Sequence, residues 1–207
     1  MRFPPFAAVA ALLLLAVAGC APQGASGPPA HPDAVIVREF TFSPSIITLD
    51  RSLGFSLHRG APGVPLRQRA ESVGRAAAFN LADTAVQQLR SLGYDAVRSN
   101  AAGPEPGARA LIVTGTFQHI DEGKRRHVGA VNSSLAVDVE VDYQAGRGSP
   151  QRITALHLDS RRIPRSEIVN AAGHGTGVNT AAARVGGVIA RYVADLARVN
   201  HWPGGTR

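Results

Sequence analysis

Leu135-Ala136-Val137-Asp138-Val139-Glu140-Val141-Asp142-Tyr143 is the stretch that decides the fold. Successive side chains of a strand point to opposite faces, so Leu135, Val137, Val139, Val141 and Tyr143 share one face and Asp138, Glu140 and Asp142 the other. The first face needs a core to bury it; the second should meet solvent or arginines. A glycine-rich turn follows over 144–150, and residues 153–159 return as another strand. Paired as a hairpin, the two strands bring Asp142 and Arg152 within reach of each other. Upstream, Ala110-Leu111-Ile112-Val113-Thr114-Gly115-Thr116-Phe117 is nearly continuous in apolar and β-branched residues, which predicts a central strand buried on both faces. Residues 34–42 read as a first strand that stops before Ser43-Pro44, and 94–98 as a short second one.

Two helices complete the pattern. Leu66, Ala70, Val73, Ala77, Leu81, Ala85, Leu89 and Leu92 recur at steps of three and four, with Gly93 placed to end the helix in a left-handed conformation. The many alanines suggest close packing against a flat surface such as a sheet. Val178, Ala182, Val185, Ile189, Tyr192, Leu196 and Val199 mark a second stripe, with Thr176 or Asn179 as its cap. Gly186 and Gly187 inside it weaken the helix but admit another backbone, so the stripe packs either on the sheet or against a partner. The fold class is therefore α/β: a small mixed or antiparallel sheet, a long amphipathic helix packed on it, and a C-terminal helix.

The amino terminus carries a different signal. Arg2 precedes an apolar run over 6–18, and Val17-Ala18-Gly19-Cys20 closes it, which is the layout of a secretory signal. A run of about 13 residues is too short for the ~20 that span a bilayer. Cys20 is the single cysteine of the chain, so no intrachain disulfide can form, and the ending resembles the box of bacterial lipoproteins. That resemblance implies a diacylglyceryl thioether on Cys20, cleavage before it and acylation of its new amine; two or more acyl chains anchor a protein stably. The alternative is an ordinary signal peptide cut near Ala18. Ala21 rather than aspartate after the cysteine resembles outer-membrane sorting, with the domain on the periplasmic face. The resulting organisation is a signal peptide over 1–19, a lipidated cysteine and flexible Pro/Gly/Ser-rich tether over 20–33, one α/β domain over 34–200, and a tail over 201–207.

The formal net charge is +7. It rests on arginine, since Lys124 is the only lysine, and the arginines are scattered rather than gathered in a run. A nucleic-acid partner is not expected from that distribution.

The segment 34–200 resembles the bacterial lipoprotein family known as domain of unknown function 4410. The resemblance is carried by Leu92-Gly93-Tyr94 at a helix end, by the strand 111–117, and by Ile120-Asp121-Glu122-Gly123 followed by Arg125-Arg126 and the alternating strand. The chain departs from the family after Arg126, where it keeps only one glycine through Asn132. More distantly, the element order is similar to the periplasmic α/β domain of curli-secretion-type lipoproteins. The second resemblance is one of fold and does not establish function; the role expected is a non-enzymatic one in envelope assembly or secretion.

Candidate chemistry is sparse. Asp121 and Glu122 are adjacent carboxylates before Gly123; on a strand they diverge, so a turn with a satisfied aspartate is the expected reading. The seven histidines show no metal-ligand spacing, though His119 and His127 flank the turn. Gly173-His174-Gly175-Thr176-Gly177 lacks the Gly-Lys-Ser/Thr ending of a phosphate loop, and no cofactor or metal is expected. The function expected is that of a membrane lipoprotein binding an envelope protein or itself. The alternative is an anion- or glycan-binding module using Arg125, Arg126, Arg161, Arg162 and Arg165. An enzyme with an unrecognised site is the third reading.

Overall fold

The computed structural model describes residues 30–50, 63–99, 109–124, 132–164 and 177–202. Six strands form one mixed sheet: β1 (Ala34–Arg38), β2 (Ile47–Thr48), β3 (Ala96–Ser99), β4 (Ala110–Asp121), β5 (Ser134–Gln144) and β6 (Gln151–Asp159). The order across it is β3-β1-β4-β5-β6, and β2 joins the far end of β4. Helices α1 (Leu66–Ser91) and α2 (Val178–Val199) cover one face.

The first half is a parallel unit. β1 pairs in parallel with β3 on one side and β4 on the other, and parallel neighbours require a long crossover, which α1 supplies. From β4 onward the sheet is an antiparallel meander, β4-β5-β6. β4 is thus the strand where the two halves meet. Its early residues are buried on both faces, Leu111 and Val113 toward the helices and Ala110 and Ile112 away from them. Beyond Val113 the far face opens to solvent, with Thr116 and Gln118 exposed.

The β5 alternation is realised as read. Leu135, Val137, Val139 and Val141 have no exposed surface and Tyr143 retains 7%. On the opposite face Arg152 is ion-paired with Glu140 and lies 3.6 Å from Asp142, while His157 Nδ1 is 2.6 Å from Asp138. The acidic row finds its partners on the neighbouring strand.

The first strand is shorter than 34–42. After Arg38 the chain leaves the ladder, touching it at Thr41 opposite Thr116 before β2 rejoins β4. The reason is two aromatic rings that turn inward. Phe40 lies over Gly115, where an added Cβ would meet the ring at 2.5 Å, and Phe42 fills the space left by Gly74 on α1. A bidentate ion pair, Arg109 to Asp33, fastens the start of β4 beside β1 and holds the Asp33 carboxyl below its ordinary value. Its contribution is present at neutral pH and fades as pH falls through that lowered value; because the pair is exposed, it is small.

Helix α1 ends at Ser91, with Gly93 at φ +88 as the sequence requires. The ends of its apolar stripe do not reach the core: Leu66 is 54% and Leu92 44% exposed. The alanines serve the other helix as well as the sheet. At Gly186 an added Cβ would lie 2.4 Å from the Leu81 carbonyl oxygen, so α2 meets the backbone of α1 directly. The backbone that Gly186 admits is therefore that of α1, and Val185 and Ile189 of the α2 stripe are core, while Val199 at its end is 74% exposed. Gly177 occupies the cap position of α2 with no side-chain bond; Asn179 lies inside the helix, and Thr176 falls outside the described residues. Trp202, placed by sequence in the tail, is buried and stacked on Tyr143 with centroids 6.2 Å apart, so the packed unit runs to residue 202.

The two glycines of α2 separate cleanly. Gly186→Val should lower stability by about 1–3 kcal/mol through overpacking. Gly187, with nothing within 4 Å of an added Cβ, should gain up to about 1 kcal/mol as alanine. Denaturant unfolding of both variants checks the contrast.

Candidate functional site

The Asp121-Glu122-Gly123 motif closes β4, where β2 pairs with its last residues, Ile47 with Ile120 and Thr48 with Asp121. Gly123 has φ +72, a region that side-chain-bearing residues avoid. The Asp121 carboxylate accepts the Gly123 N–H at 2.8 Å and lies 3.7 Å from Arg161. Glu122 points the other way. Its N–H donates to the Thr48 carbonyl at 3.0 Å and its carbonyl accepts from Ser133 Oγ at 2.7 Å. Its carboxylate, with the side chain 9% exposed, accepts the Asp50 N–H at 2.9 Å and faces Arg69 at 3.5 Å.

The adjacent carboxylates therefore diverge and each is held by structural partners. Glu122 ties together three parts of the chain: the segment after β2, the first turns of α1 and the end of β4. Arg69 and Asp50 were not singled out by sequence. Asp50 falls in the irregular connection and Arg69 among the charges of a helix, and no spacing rule joins positions 50, 69 and 122. The other candidate residues disperse. Arg161 comes to Asp121, and Arg162 is exposed on the same turn. Cys20, Arg125, Arg126, Arg165, His127 and the 173–176 glycine-rich segment lie outside the described residues. His119 sits 3.5 Å from Ser134 Oγ. Among the described residues, no three His, Cys, Asp or Glu side chains are grouped to hold a metal, and no helix is long and apolar enough to cross a membrane.

Beside the motif lies an open groove of about 1090 Å³. Its walls are the Ser43–Asp50 segment, the start of α1 and the Asp121–Lys124 turn. Pro44, Ile47, Leu49, Leu66 and Ala70 supply apolar surface, and Arg67 and Lys124 stand among its lining residues. Such a concave apolar surface is what a ligand or an inserted side chain needs. A second depression, about 860 Å³, lies across Arg38, Glu39, Thr114, Thr116, Gln118, Asp138 and Glu140; Asp138 is engaged by Gln118 and His157, and Glu140 by Arg152.

No protein-family model and no curated protein matches this chain. Among the solved structures similar to it at low level are the following two. A neuraminyllactose-binding hemagglutinin homolog from Helicobacter pylori is 12% identical with a TM-score of 0.36, the match covering 84% of this chain and 89% of that one. The hypothetical protein CT253 from Chlamydia trachomatis is 13% identical with a TM-score of 0.34, covering 82% and 97%. Likenesses of this size carry no argument about function.

Glu122→Ala should cost about 1–3 kcal/mol, because it leaves the Asp50 N–H and the Arg69 guanidinium without their carboxylate. Gly123→Val should destabilise through its backbone. Asp121→Asn, which keeps an oxygen for the Gly123 N–H, should be tolerated. Thermal unfolding of the three variants tests this ranking.

Proposed function

We propose that this chain is a lipid-anchored bacterial envelope protein of the outer membrane, facing the periplasm, that acts in envelope assembly or secretion by binding another protein and catalyses no reaction. The observation that carries the reading is the position of Cys20, the one cysteine of the chain, at the end of an apolar run with Val17-Ala18-Gly19 before it. The proline- and glycine-rich stretch that follows gives a lipidated cysteine a tether. The resemblance to the domain of unknown function 4410 supports the same assignment. On the folded domain, the groove beside the Asp121-Glu122-Gly123 turn is the surface best suited to a protein partner. It pairs an apolar wall with a rigid rim held by Glu122.

Cys20→Ala should abolish incorporation of radioactive fatty acid and release the protein from the membrane fraction. Equal labelling of the variant would end the lipoprotein reading.

Leu66→Glu tests the groove. Leu66 is exposed and lies in the first turn of α1, where a carboxylate is favourable to the helix dipole, so the substitution should leave stability unchanged. A protein captured from membranes by the anchored wild-type chain should be lost by this variant. Capture that survives Leu66→Glu but weakens steeply with salt would move the reading to the arginine-based anion- or glycan-binding alternative.

A further inference from the structure

The sheet has two edges, β3 and β6, and they are unlike. β3 has 4 residues and β6 has 9. Among the described residues no strand pairs with the outer side of β6. An edge strand presents a row of unpaired N–H and C=O groups, and proteins usually blunt it with proline, lysine or a bulge. β6 contains neither proline nor lysine. Its one irregularity lies opposite Val141 and Asp142, where the register passes from Thr154 to Arg152, leaving 154–159 regular.

The apolar residues of β6 are also incompletely covered. Val137, Val139 and Val141 on β5 have no exposed surface. Leu158, Leu156 and Thr154, their partners on β6, are only half-buried. One more strand beyond β6 would complete their burial.

We infer that β6 is a self-association surface, on which β6 of a second copy of this chain pairs antiparallel about a two-fold axis at Leu156. This goes beyond the lipoprotein reading and does not depend on it. The strand is self-complementary in that register. On the helix side Leu156 meets Leu156 of the second copy and Leu158 meets Thr154. On the open side Ala155 meets His157. The bulge beyond Thr154 takes Arg152 out of that register, so no like charges stand opposite one another, and both Arg152 side chains keep their partners Glu140 and Asp142. The arrangement fits a second copy because the two faces of the edge, one apolar and one polar, are each matched by themselves after a two-fold rotation.

Oxidative cross-linking of the full-length chain in membranes tests the pairing. Leu156→Cys should give a covalent dimer, since a residue on the axis faces its own copy. Arg152→Cys should give none, because the two copies of that residue lie about 26 Å apart at the rise of a strand, far beyond disulfide reach. Cross-linking at Arg152 as readily as at Leu156, or none at Leu156, overturns the pairing. Sedimentation of the unsubstituted chain in detergent asks the same question without a mutation: a dimer supports it and a monomer at every concentration overturns it. The unsubstituted chain is also the control for Cys20. A cross-link through Cys20 would mean that its thiol is free, which defeats the lipid anchor and leaves the strand pairing to be judged at Leu156.

Discussion

The contact on which the structure depends is the approach of α2 to the backbone of α1 at Gly186. With no side chain there, the carbonyl of Leu81 enters the space a Cβ would take. Both helices are rich in small buried residues, Ala77, Ala78, Ala82 and Ala85 on one and Ala181, Ala182 and Ala190 on the other, and Thr84 and Ala85 also stand within 3.2 Å of the Cβ position at Gly186. Two helices set this close cover a single face of the sheet together, and this is why the apolar rows of β1, β4 and β5 join in one core. A bulkier pair would have to spread apart and leave part of that face uncovered.

The second constraint is β4. It receives β1 and β2 in parallel and β5 antiparallel, and its end carries the Asp121-Glu122-Gly123 turn. The groove exists because β1 and β2 are separated along the same edge of β4. The chain between them turns inward through Phe40 and Phe42 and returns through Ser43–Asp50 as a wall. Glu122 then fixes that wall to α1 through Asp50 and Arg69. The motif thus clamps the wall of the groove to the start of α1.

Much of the sheet was legible because strand alternation is a local property. The β5 faces, the Asp142–Arg152 approach and the Gly93 helix end all follow from neighbours in sequence. What was not legible depended on distant contacts. Sequence alone carries the first strand past Arg38, because Phe40 and Phe42 are strand-forming residues and nothing local shows that Gly115 and Gly74 lie beneath their rings. Gly186 advertised a close backbone approach but not to which backbone. For the candidate site, the turn at Gly123 was visible, whereas the Glu122–Arg69–Asp50 cluster joins three separate segments that no periodicity connects.

The stacking of Trp202 on Tyr143 has a bearing on how the chain reaches its folded state. The core contains residues from Val35 to Trp202, and β1 finds its place only between β3 and β4. No amino-terminal fragment can therefore close the apolar layer by itself: β1 waits for residue 110, the β5 row waits for α2, and Tyr143 waits for the ring at 202. Topologies dominated by such long-range contacts fold slowly. A chain of this design completes its core only when nearly all of it is present, because the residues that close the apolar layer come from its two ends.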